Sequence, residues 1–200
     1  MARTGRRPGN SDTREAILAA ARTAFAERGF DKASIRQIAT SAGVDPALVH
    51  HYFGAKDQLF LVTMRVPIDP ATIVPQIVAG DPDGLGERLV RMFLTVWDSP
   101  VGATAAALLR SAVSHERSAR MLREFVTSQV LRRVVDQVGL DPTDGPLRAS
   151  LVASQMVGLA MARYIIKIEP LASTPSETLI TMVGPTVQRY LTGPIAAPDP

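Results

Sequence analysis

Apolar residues recur along this chain at helical spacing, and no stretch alternates apolar with β-branched or aromatic residues as a strand would. Ile17, Leu18, Ala21 and Phe25 share one face of a first helix, opened by Asp12 with Glu15 three residues on and stopped near Gly29. A short second helix follows. Ser34 and Gln37 have the spacing of a capping box, Ile35, Ile38, Ala39 and Ala42 supply its apolar side, and Gly43 ends it. In the third helix Asp45 is placed to accept from free backbone amides, and Pro46 stands at the first helical position, where its missing N–H is harmless. Residues 56–64 read as a fourth helix, after which Pro67, Pro70 and Pro75 interrupt the pattern.

Further helices are predicted over 70–79, 85–98, 101–114, 117–138, 146–168 and 175–191. The last carries its own capping box in Thr174 and Glu177 around Pro175, and Pro185 within it should bend the chain. The pattern therefore predicts an all-α fold. An N-terminal unit of about three helices occupies 11–58, with a helix-turn-helix proper at 34–53; a larger helical unit occupies 59–193, and the tails 1–10 and 194–200 read as flexible.

On a helical wheel the third helix brings Val49, Tyr52 and Phe53 together, so at least two of them pack inward. Ala47, Leu48, His50 and His51 then face outward or sideways, where a second helix of this motif lies in a DNA major groove. Imidazoles can hydrogen-bond base or phosphate, whereas Ala47 and Leu48 offer apolar contact, for instance to a thymine methyl.

Composition narrows the alternatives. The chain has 200 residues, is 46% hydrophobic and 20% charged, and has a net charge of +3 in which arginine far outnumbers lysine. That balance permits a nucleic-acid partner without requiring one. The absence of cysteine excludes disulfides, thiolate zinc sites and a thiol nucleophile, and fits a reducing cytoplasm. No secretory signal follows the basic opening, and the most apolar stretch, LVASQMVGLAMARYIIKI, contains Gln155, Arg163 and Lys167 and reads as a buried helix rather than a membrane span. His50 and His51 are neighbours on a helix and point about 100° apart, so they do not chelate one ion; with only His115 besides, no metal or other cofactor is expected. No nucleophile elbow, glycine-rich phosphate loop or acid/base pair is present, which argues against an enzyme.

The segment SIRQIATSAGVDPALVHHYF, flanked by a capped helix before it and YFGAKDQLF after it, resembles the DNA-binding domain of the tetracycline-repressor (TetR) family over about Thr13 to Phe60. It departs from the usual signature at Ala47, Leu48, Val49 and His50, so no operator can be transferred with the resemblance.

The resemblance implies a transcriptional regulator that binds double-stranded operator DNA as a homodimer. In it Arg36 reaches a guanine edge or phosphate unless an acid such as Asp31 holds it, and Ser34, Tyr52 and Lys56 touch phosphate. The basic arm with Arg3, Arg6 and Arg7 is a further candidate for DNA contact. The last two long helices would form the twofold interface, helped by small residues such as Gly158. The middle helices would enclose a cavity for a small apolar effector, with Phe93, Trp97, Met121 and Phe125 in its wall and Arg110 or Arg163 meeting an acidic group on the ligand. The competing reading is a constitutive DNA-binding dimer with a filled core and no effector.

Overall fold

A computed structural model describes residues 10–66 and 68–194. The described residues form ten helices and no strand: α1 (Asn10–Lys32), α2 (Ile35–Ala42), α3 (Pro46–Phe53), α4 (Lys56–Met64), α5 (Pro70–Val78), α6 (Leu85–Asp98), α7 (Val101–Ser114), α8 (116–138), α9 (Gly145–Ile166) and α10 (Ser176–Thr192). Two of the long helices change pitch. Phe125–Leu131 in α8 and Met161–Ile166 at the end of α9 are π-helical, a wider winding that is rare and frequently found at functional sites.

Most predicted boundaries hold within a few residues, and two caps do not. α1 already starts at Asn10, so Asp12 lies inside its first turn and acts on the helix dipole rather than as a cap. At the other end Gly29 (φ 76°, ψ 171°) breaks the helical geometry, as its residue type predicts. The Thr174–Glu177 box does not form. Pro175 itself is the N-cap residue of α10, the Thr174 hydroxyl turns back to donate to the Pro170 carbonyl (2.8 Å), and the Glu177 carboxylate pairs with Arg91.

α1 to α4 share one core, in which Ile17, Phe25, Ile38, Val49, Leu59 and Phe60 are fully buried. Phe60 meets Phe25 and Phe30 edge to face, with ring centroids 4.9 and 5.3 Å apart, a favoured aromatic geometry. α4 thus packs with the first three helices through Met64, and the boundary drawn at 58/59 moves to the connector before α5. α8 leans on this core as well, through Met121, Leu122 and Phe125.

The larger body is organised around the crossing of α6 and α10, whose backbones touch at Gly86 and Gly184. A Cβ on Gly86 would lie 2.3 Å from the Gly184 carbonyl oxygen. Gln188 completes the junction: its Oε1 accepts from the Gly86 amide (2.7 Å), and its Nε2 donates to the Pro82 carbonyl (2.9 Å). α9 is long and apolar enough to cross a membrane, yet only 28% of its most apolar window is buried. The expectation of a buried helix therefore holds for one face only. The other exposes Leu147, Leu151 and Val157.

Candidate DNA interface and apolar cavity

The turn between α2 and α3 is built as the sequence requires. Ser34 Oγ accepts from the Gln37 amide and Gln37 Oε1 accepts from the Ser34 amide, both at 3.2 Å, so two amides at the start of α2 are satisfied reciprocally. Gly43 adopts the left-handed conformation (φ 69°, ψ 32°), and the Val44 amide closes the cap on the Ala39 carbonyl at 3.0 Å. Asp45 Oδ1 then accepts from the Ala47 amide at 2.7 Å and starts α3 behind Pro46.

Val49 and Phe53 anchor α3 in the core, Tyr52 is half-buried between the rings of His51 and Phe53, and Ala47, Leu48, His50 and His51 are exposed. Leu48, 39% exposed, is therefore available to a partner instead of filling the core. His50 Nδ1 donates to the Gly54 carbonyl (3.1 Å), which leaves Nε2 of the neutral ring as an acceptor. Arg36 is exposed and has no side-chain partner among the described residues. Its alternative partner Asp31 is held by Arg132 through two hydrogen bonds of 2.9 and 3.2 Å, and this fork keeps the Asp31 carboxyl below the usual aspartate range. Ser34 keeps its hydroxyl proton free to donate while its oxygen caps α2.

Lys56, a candidate phosphate contact, also has partners within the N-terminal unit. Its ammonium donates to the carbonyls of Phe30 (2.9 Å) and Ala33 (3.2 Å) and sits 4.3 Å from the centroid of the Phe30 ring. These carbonyls lie at the end of α1, past Gly29, where the helix can no longer satisfy them. The basic arm with Arg3, Arg6 and Arg7 lies outside the described residues.

In the larger body α5 to α9 surround a cavity of about 290 Å³. Every lining side chain is apolar, and Trp97 supplies the only side-chain N–H among them. Of the residues proposed from sequence, Phe93, Trp97 and Phe125 stand in its wall. Trp97 is packed between Phe93 and Tyr164 (centroids 5.6 and 5.1 Å away), and the Tyr164 hydroxyl donates to Asp98 at 2.7 Å. Burial, and then the bond to Asp98, push the Tyr164 hydroxyl up to about 12, so it stays a neutral donor.

The other three ligand candidates lie elsewhere. Met121 is buried against the N-terminal core, and Arg110 is exposed outside the cavity. Arg163 donates to the carbonyls of Leu171 (2.8 Å) and Thr174 (2.7 Å), fastening the loop between α9 and α10. Much of the wall escaped the sequence reading, including Ile73, Ile77, Val130, Val152 and Met156, because an apolar residue facing a void has the same type and spacing as one facing a neighbour.

α8 connects the two units. On one side Phe125, Val126, Val130 and Leu131, all within its π-helical segment, line the cavity. From the same stretch and its flanks, Glu124 accepts from the Phe30 amide (2.8 Å), Arg132 grips Asp31, and Arg133 donates to Asp57 (2.8 Å) beside the buried Gln129.

Comparison with known proteins agrees with this arrangement. A family model described as bacterial regulatory proteins, tetR family, matches residues 17–63, and one described as tetracyclin repressor-like, C-terminal domain, matches 83–191. The crystal structure of a TetR-family regulator from Streptomyces coelicolor A3 is 43% identical, with 94% of this chain and 99% of that chain covered and a TM-score of 0.50. The HTH-type transcriptional regulator BetI of Rhizobium meliloti (strain 1021) is 29% identical over 172 residues, 83% of this chain and 84% of that protein. The regulator of the same name from Brucella anthropi is 58% identical over 52 residues, and that match spans only 26% of either chain.

Proposed function

The chain belongs to the tetR family of bacterial regulatory proteins and is a DNA-binding transcriptional regulator, and we propose that it is a dimeric repressor released from its operator by a small apolar effector held in the cavity. The observation that carries this reading is the double use of α8: one face walls the cavity while its neighbours clamp Phe30, Asp31 and Asp57 of the N-terminal unit. A ligand that favours one packing of the π-helical segment over another shifts the position of the N-terminal unit, since only differential affinity for two states moves their equilibrium.

The DNA-reading surface is Ala47, Leu48, His50 and His51 with Arg36, and Ser34 and Tyr52 serve the backbone. Two copies joined through α9 and α10 bury the exposed Leu147, Leu151, Val157 and Met182. They also present two recognition helices about 34–36 Å apart, one turn of DNA. The cavity counts against the rival constitutive dimer, whose core would be filled.

The test begins with DNA selected from a random pool by the purified protein. Arg36→Ala should cost about 1–3 kcal/mol on the selected site and relax preference at one symmetric pair of positions. Small apolar compounds that quench Trp97 should weaken binding to that site. Quenching compounds that leave operator affinity untouched would refute release by effector. Loss of neither affinity nor preference in Arg36→Ala would remove Arg36 from the reading surface.

A further inference from the structure

A second depression, of about 490 Å³, lies between the two units, bounded by α1, α4, α7 and α8. Its polar side is cationic. Arg22 and Arg117 both line it, and no acidic residue does. Neither arginine has a carboxylate partner among the described residues: Arg22 Nε makes only a long bond to the Thr63 carbonyl (3.4 Å), and Arg117 donates to the Thr23 hydroxyl (3.0 Å). Ser111 and Ser118 line it too: the Ser111 hydroxyl donates to Ser118 Oγ (2.9 Å), which leaves the Ser118 hydroxyl proton as a further donor. A guanidinium fork without an acid is suited to a carboxylate or phosphate group, which it can bind through two parallel hydrogen bonds.

This groove adjoins the apolar cavity. Leu108 and Leu122 line both spaces, so these two half-buried side chains are the partition between a cationic groove and a chamber that offers a charge nothing. A charged group would be costly inside the chamber and is well served outside it.

We infer that the effector is an anionic amphiphile, whose head rests on Arg22 and Arg117 and whose hydrocarbon tail passes between Leu108 and Leu122 into the cavity beside Trp97. The inference rests on the reading of the cavity as the effector site and adds the head group to it. It also places the head between α1 and α4 on one side and α7 and α8 on the other, so that ligand binding bears directly on how the two units sit together.

The test measures Trp97 quenching in the full-length protein by decanoate, decyl phosphate, methyl decanoate and decyltrimethylammonium, which share a tail length and differ in head. At least one anion should bind about tenfold or more tightly than the neutral ester, as expected for a charge-assisted hydrogen bond. That advantage should vanish in Arg117→Gln and in Arg22→Gln while the ester's affinity stays unchanged. Arg117 lies at the exposed start of α8, so its variant reports on the site even if Arg22→Gln disturbs the packing of α1. Equal binding of ester and anions, or preference for the cation, overturns the head-group site and leaves the cavity standing. Absence of quenching by all four overturns the cavity reading and this inference with it.

Discussion

Replacing Lys56 by methionine separates two roles that a lysine at this position can play. The methionine keeps an apolar stem over Phe30 and deletes the ammonium that holds the Phe30 and Ala33 carbonyls at 2.9 and 3.2 Å. Hydrogen bonds to a charged group contribute about 1.5–3 kcal/mol each, but the site is only half-buried and water takes over part of the loss. The cation over the Phe30 ring adds ~0.5–1 kcal/mol in such a setting. The net expectation is about 2 kcal/mol of lost stability, which for a cooperative unit of this size is a fall of ~4–8 °C in Tm. Circular dichroism melting without DNA measures it directly. Titration of DNA binding at several salt concentrations reads the other role: a lysine bound to phosphate contributes about one unit to the slope of log K against log salt. The structural assignment expects a lower Tm with an unchanged slope. An unchanged Tm with a slope smaller by about one would show that Lys56 serves phosphate and that its contacts inside the domain carry no weight.

Three further outcomes follow from the same geometry. Gly86→Ala should destabilise the larger body by about 3 kcal/mol or more in urea unfolding, at or beyond the upper end of ordinary overpacking, because its new Cβ meets backbone at 2.3 and 2.6 Å; a loss under about 1 kcal/mol would mean that α6 and α10 can separate freely. Gly158 faces open space within one chain, so Gly158→Trp should leave the fold intact and shift dimer to monomer in light scattering, and a persisting dimer would place the interface away from α9. Asp31 is held below its ordinary value of 3.8, chiefly by the hydrogen bonds from Arg132; its stabilising effect is therefore present at neutral pH and lost as pH falls through that lowered value. Wild type should melt above Asp31→Asn at neutral pH and lose the advantage under strong acid, and a difference that persists unchanged in acid would assign the effect to something other than this ion pair.

The N-terminal unit was legible in the sequence because its features are local. A capping box, a glycine that must turn left-handed and a proline at a helix start each act within four residues, and Ser34, Gly43 and Asp45 do in the structure what their types and spacing require. For the opposite reason, the contacts of Lys56 within the domain were not legible. Its partners are 23 and 26 residues away in the chain, at a helix end whose need for a donor arises only once α1 and α4 are packed. The same distance rule explains Arg163: a charge within an apolar helix reads as a ligand anchor until the loop whose carbonyls it holds is in place.

The cavity shows a different kind of illegibility, and its resolution bears on the proposed response to an effector. Apolar periodicity marks the inward side of a helix, but it does not say whether that side meets another side chain or a void. In α8 the seven-residue π-helical segment Phe125–Leu131 turns Phe125, Val126, Val130 and Leu131 to the cavity, while Glu124, Arg132 and Arg133 on its flanks hold the N-terminal unit. A regular helix of the same sequence would rotate these side chains relative to Glu124 on one flank and Arg132 and Arg133 on the other. The cavity lining and the clamp on the N-terminal unit therefore depend on the same backbone winding, and they cannot be repacked independently. That shared dependence, rather than a chain of contacts between distant sites, is the physical basis for the proposal that occupancy of the cavity is felt at α3.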